Sequence, residues 1–419
     1  MGQIEINHTG SGGTVVLSSD GTSLLLGGSA IGGGAALYAV NESSPAGQPS
    51  ATGDNAVAIG DGAQATGSDS FALGNNSRSG ATRSTAFAFS NAGGTNSFAA
   101  CIGSTSNAKG ALSTNSVAMG KNATAGGLRS AALGDEAVTG SNGESAVSLG
   151  TSYANGVDSF AAAIATNSSS YGASGANSIA MGYLSKATAS GAVAIGDRNT
   201  ASGDDAVVFG ESNTGAGPFS FTAGKGNVNT GSRGIALGNA NTVSDFYTFA
   251  SGSQNTASQD YATAIGSKAL ANRQGKFAHG SLGFGTVGDS QYGRMILSKS
   301  TTNATPTVLS ALQGNTPSTD NMPVIPLGGA QAFSGLLVAK QTSSANVAAW
   351  EIKGLIVNHL GTTTLVNSTI TVINNTPSWS GPALSANNTN DWLEITCTGA
   401  VATSIRWSCT LNTSELIYA

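Results

Sequence analysis

The chain has 419 residues, more than the usual single domain, and a formal net charge of −5. Glycine supplies 59 residues, charged residues 9 % and aromatics 6 %, a composition foreign to helical proteins and compact enzymes, while the low charge and 39 % hydrophobic content exclude the usual disordered chain. Lys and Arg are scattered singly, so no nucleic-acid partner is expected. No run approaches the ~20 apolar residues that span a bilayer, and Met1 to His8 lacks a basic stretch leading into an apolar one. The expectation is a chain made in the cytoplasm and not embedded in a membrane.

In chain order, the first signals are the apolar triplets Val15-Val16-Leu17 and Leu24-Leu25-Leu26, with Asp20-Gly21 between them as a hairpin turn. Gly32-Gly33-Gly34 and the stretch from Asn41 to Gly53, with Pro45 and Pro49, read as a flexible connection. Residues 1–50 are therefore either a frayed cap or an adaptor that docks onto a larger particle.

A five-residue motif of small, apolar, small, apolar and Gly then recurs, as in Ala56-Val57-Ala58-Ile59-Gly60, Ser116-Val117-Ala118-Met119-Gly120 and Gly234-Ile235-Ala236-Leu237-Gly238. Its last position reads as Gly60, Gly74, Ser90, Gly103, Gly120, Gly134, Gly150, Ala165, Gly182, Gly196, Gly210, Gly224, Gly238, Gly252, Gly266 and Gly280, sixteen units in all, with every step fourteen residues from Gly182 onward. That period is too short for helix-pair repeats and fits one coil of a β-solenoid. A second small-residue strand, such as Ala187-x-Ala189 or Ala269-x-Ala271, completes the coil. Side chains alternate along a strand, so Val57 and Ile59 share one face and Ala56 and Ala58 the other. Both faces are apolar or small, which suits burial on two sides: one in the coil's interior, the other against a neighbouring chain. Coils this thin bury little apolar area alone, so a homotrimer is expected.

These units resemble the head repeats of trimeric bacterial adhesins of the YadA type over about Asn55 to Gly280. The resemblance implies a trimeric left-handed parallel β-roll forming a rod, assigned to residues 51–285. An export signal, a coiled-coil stalk and a membrane-barrel segment, which such adhesins carry, are not recognised in the sequence.

Residues 286–419 differ in texture. All four tryptophans, Trp350, Trp379, Trp392 and Trp407, lie there among longer strands such as Phe333 to Lys340, so a β-sandwich or jelly-roll is expected, beginning near Arg294. Cys397 and Cys409 share strand parity with apolar neighbours and read as small core residues. Cys101 completes the set, and no Cys spacing suits zinc or a disulfide framework. The runs Arg294-Met295-Ile296-Leu297, Ala332 to Ala339, Ala349 to Gly354 and Ile405 to Glu415 resemble the C-terminal knob of bacteriophage and cyanophage fibre proteins, which implies a virion component.

Chemistry has little to work with. The close acidic pairs Asp135-Glu136 and Asp204-Asp205 sit at turns, where Asp supports the backbone, so catalysis is not expected; no cofactor or metal is expected either. Trp379, in an Asn-Thr-Pro-Ser-Trp-Ser-Gly-Pro loop, is the candidate receptor contact. The functional expectation is a tail fibre on a virion. It would be attached to tail, baseplate or capsid proteins through residues 1–50 and would recognise host-surface glycan or lipopolysaccharide. The alternative is a non-enzymatic head fibre or capsid decoration protein, and a glycan-degrading tailspike ranks below both.

Overall fold

The computed structural model describes residues 4–7, 14–19, 24–26, 29–31, 47–104, 106–166, 168–312 and 316–418. Regular elements among them are strands, with no helix. The chain divides into two units, Met1–Gly191 and Ala192–Ala419.

In the first unit, Ile4–Asn7, Thr14–Ser19, Leu24–Leu26 and Ser29–Ile31 form an antiparallel meander in which Leu17 lies opposite both Ile4 and Leu26. The two apolar triplets therefore pair as a hairpin. Its Asp20-Gly21 turn lies outside the described residues, as do Gly32 to Gly34 and Pro45.

From Ser50 onward this unit is built of coils, each with a three-residue and a two-residue strand. The three-residue strands stack in parallel register, Ala58 beside Ala72, Ala72 beside Ala86 and Ala86 beside Ala99. The two-residue strands stack likewise, Ala51 beside Ala65 and Ala65 beside Ser79. Ala58, Ala65, Ala72, Ala86, Ala92 and Ala99 have no exposed surface. The interior is thus a column of methyl groups, and the larger Val57, Ile59 and Phe71 point the other way because the narrow interior has room for little more than a Cβ.

The strand register moves three of the expected motif ends. Thr85–Phe87, Phe98–Ala100 and Phe160–Ala162 align with their neighbours so that the closing positions are Ala88, Cys101 and Ala163, two residues before Ser90, Gly103 and Ala165. All three closing residues carry positive φ, 45°, 57° and 55°, the conformation that glycine supplies at most other coils. The lengthened loops that follow Cys101 and Ala163 carry Ile102 and Ile164, each buried, with the backbone N–H donating to Ser90 Oγ at 3.1 Å and Ser152 Oγ at 3.2 Å. Longer loops make room for a larger side chain.

The second unit opens with coils of a different build. The longer strands now run five residues, as in Val193–Asp197 and Val207–Glu211, and keep their closing glycines in register. At Gly210 an added Cβ would fall 2.0 Å from the carbonyl oxygen of Gly224, so nothing larger fits. Three residues past each closing glycine stand Asn199, Asn213, Asn227, Asn241 and Asn255, all buried. Each side-chain oxygen accepts the backbone N–H of the residue one coil on, at 2.8–3.0 Å, while each amide donates to carbonyls of its own and the following coil. The ladder satisfies corner groups that no strand pairing reaches. Counting both units, the longer coil strands number sixteen among the described residues.

The last coil strand, Phe277–Ser281, pairs antiparallel with Ser290–Thr301, which begins a five-stranded sheet in the spatial order Ser290–Thr301, Ile405–Ile417, Gly329–Gln341, Val347–His359 and Thr362–Asn375. A smaller sheet joins Pro306–Val308, Trp392–Thr398 and Ala383–Asn387. Strict alternation along Gly329–Gln341 sends Phe333, Leu337 and Ala339 into a core shared with Leu309, Leu393, Ile395 and Cys397. The result is two sheets around an apolar core, five strands against three.

Candidate binding surfaces

Trp379 does not stand out in its loop. Asn375 clamps it: the Asn375 amide donates to the Trp379 carbonyl at 2.7 Å and its oxygen accepts the Trp379 N–H at 2.9 Å. The indole is 9 % exposed and packs on Trp407, ring centres 6.2 Å apart, with Trp350 stacked on Trp407 at 5.9 Å. Its stacking partner is another tryptophan, so a sugar would have to displace the core to reach it. Trp350 and Trp407 are core residues, as their strand parity implied, and Trp407 Nε1 donates to Thr301 Oγ1 at 2.9 Å.

Cys397 and Cys409 are buried, which pushes both thiols up, Cys409 to about 12. Glu136 and Asp205, the second members of the two acidic pairs, hold φ near 54°, a turn position that Asp and Asn tolerate well. Among the described residues no group of His, Cys, Asp or Glu is arranged to hold a metal ion.

A buried ion pair ties the last coil to the five-stranded sheet. Lys276 Nζ lies 2.7 Å from Glu415 Oε2, which also accepts from Gln291 Nε2 at 2.7 Å, while Thr413 Oγ1 donates to Glu415 Oε1 at 2.7 Å. Burial pushes the Glu415 carboxyl up, but Lys276 and these hydrogen bonds outweigh it and hold the group below its ordinary value. Close by in sequence, the Asp289 carboxylate accepts backbone N–H groups of Phe284, Gly285 and Thr286, which fixes that loop. Both sites are fully used by structure.

Two exposed features remain. The first is apolar: Ile59, Phe71 and Met119 on coils of the first unit, Phe209, Phe221 and Ile235 on coils of the second. In the sandwich, the strand Thr362–Asn375 pairs along one edge only and exposes Val366, Ile370, Val372 and Ile373 on both of its faces. Unpaired, apolar strand edges invite a partner.

The second feature is a column of turn residues in the second unit. One turn position per coil takes the left-handed conformation, and in the first unit it carries Asn55, Asp69, Asn96, Asn115, Asp158 and Asn177, with Arg and Ser at the others. In the second unit the equivalent residues are Asp205, Phe219, Arg233, Tyr247 and Tyr261, at φ 54–61°. Holding a bulky residue there costs on the order of 1–3 kcal/mol. The side chains stack: the Arg233 guanidinium lies 5.0 Å from the Phe219 ring centre and 5.5 Å from that of Tyr247, and Tyr247 and Tyr261 are parallel to within 3° at 5.5 Å. Sequence reading missed both this column and the Asn ladder, although the fourteen-residue spacing of each was visible.

Comparison with known proteins fits the coils. The family described as YadA head domain repeat (2 copies) matches residues 51–77, 111–137, 173–199, 187–211 and 246–269. The coils are YadA-type head repeats. No curated protein matches the chain. Among solved structures, the tailspike protein of Acinetobacter phage vB_ApiP_P1 is similar at 10 % identity over 88 % of this chain and 77 % of that one, with a TM-score of 0.21. A likeness that slight carries no argument.

Proposed function

We propose that this protein is an attachment fibre of a virion, in which YadA-type coils act as a spacer and the C-terminal sandwich as a knob, three chains associating side by side. The observation that carries this reading is the pairing of adhesin-type head repeats with apolar side chains turned outward from an alanine-only interior. Such coils gain little from their own cores and gain most by packing against one another. The two-faced exposure of Thr362–Asn375 supports the same association in the sandwich. Residues 1–50 would join the fibre to other virion proteins, and host-surface glycan would be its target.

Catalysis is no part of this proposal, because the close acidic pairs serve turns. The test is direct. Purified full-length protein should run as a trimer by light scattering, bind host cells and block adsorption of the particle that carries it. A monomeric protein, or a trimer that leaves adsorption untouched, would replace this reading with that of a passive capsid decoration.

A further inference from the structure

We infer that the uncovered face of Tyr261 is a seat for an amino-sugar residue, the pyranose ring stacking on the tyrosine and its ammonium group meeting the carboxylates beside it. This deepens the glycan-attachment reading and rests on it for its biological sense, but the seat itself follows from geometry.

In the column Asp205, Phe219, Arg233, Tyr247, Tyr261, each successive coil adds a side chain that covers the one before. The next rung is Gly275, at φ +66°, and even an added Cβ there would meet nothing within 4 Å. The backbone of the turn continues, with Gly275 N–H donating to the Asp260 carbonyl at 2.9 Å, but the side-chain stack stops. Tyr261 thus ends the ladder half exposed, one face on Tyr247 and the other over an empty rung.

Charge defines the occupant. Asp260 directly precedes Tyr261, its Oδ1 accepting the Phe246 N–H at 3.1 Å. Asp320 is brought over by the Gln274 N–H, which donates to its carbonyl at 2.7 Å, and by Gln259 Nε2, 3.3 Å from its Oδ1. Asp245 feels both: burial first, then Asp260 and Asp320, raise its carboxyl above the ordinary value. A negative field beside an aromatic face favours a cation, and the ladder already holds one, since Arg233 sits between Phe219 and Tyr247. A sugar with a free amine satisfies both parts, offering its C–H face to the ring and its ammonium to the carboxylates. An acidic sugar meets repulsion instead.

Calorimetric titration of the full chain with a glucosamine tetrasaccharide and with its N-acetylated counterpart separates charge from ring shape. The measurement belongs at mildly acid pH, where amine and carboxylates are both ionised. The free amine form should bind, the acetylated form at least about tenfold more weakly. Tyr261→Ala and Asp260→Asn should each weaken it by about tenfold, Tyr261→Phe should retain it, and Phe219→Ala, at the far end of the ladder, should leave it within about twofold. Equal affinity for the acetylated form, no binding of the amine form, binding only of an arginine-rich peptide, or full binding by Tyr261→Ala would each overturn the seat. Host-cell binding by the same variants tells the two proposals apart. Wild-type adhesion that survives Tyr261→Ala defeats the seat and spares the fibre; oligosaccharide binding without adhesion does the reverse.

Discussion

Replacing Asn227 by alanine tests whether the buried asparagine ladder holds the second unit's coils together. The Asn227 side chain donates to Asn213 Oδ1 at 3.0 Å, to the Ala223 carbonyl at 3.0 Å and to the Gly238 carbonyl at 2.8 Å. Its oxygen accepts the backbone N–H of Asn241 at 2.9 Å. Asn227→Ala leaves that N–H buried without a partner, worth about 1–3 kcal/mol, and removes further bonds that contribute about 1 kcal/mol each net. The expected loss is about 3–5 kcal/mol, with little relief because alanine leaves a void too small and too polar to collapse. Urea unfolding at fixed protein concentration measures it, and hydrogen exchange should show the Asn241 amide losing protection before amides of the sandwich. Asn239→Ala, at an exposed position on the same coil, should change stability by less than about 0.5 kcal/mol. If Asn227→Ala costs no more than that control, the ladder is not what secures the corners.

Glu415→Gln strands the buried Lys276 ammonium and should destabilise the second unit by about 3–5 kcal/mol, whereas the double change Lys276→Met with Glu415→Leu should come near neutral in the same assay. Because the folded Glu415 carboxyl lies below its ordinary value of 4.5, its contribution is complete above that pH and disappears as pH falls through the lower folded value. Acid unfolding curves of wild type and Glu415→Gln should therefore converge at low pH. Ala250→Leu forces extra volume into a coil interior with no exposed surface and should cost about 1–3 kcal/mol or more, read as a lower urea midpoint. Native protein treated with iodoacetamide should be labelled at exposed Cys101 and spared at Cys397 and Cys409, a pattern that mass spectrometry reads directly.

The coils were legible because parallel stacking brings the same motif position back to the same place in each turn, so Ala58, Ala72 and Ala118 advertise the interior by spacing alone. Reading failed where the residue does not reveal its backbone. Ala88, Cys101 and Ala163 take the positive φ that glycine marks elsewhere, and the nearby Ser90, Gly103 and Ala165 drew the motif two residues too far. In the C-terminal part, strand parity identified Trp350 and Trp407 as core. For Trp379 the polar loop composition pointed outward, while the Asn375 clamp folds the ring inward against Trp407.

The sequence by itself determined a repetitive all-β chain, its coil period, its small-residue interior and the change of texture beyond the repeats, since all of these are local or periodic. Only the tertiary structure decided that Lys276 meets Glu415, 139 residues away, that the large sheet places Ile405–Ile417 between Ser290–Thr301 and Gly329–Gln341, and that a tyrosine column ends at an empty rung. Such pairings depend on how distant strands close on one another, and no spacing along the chain encodes that closure.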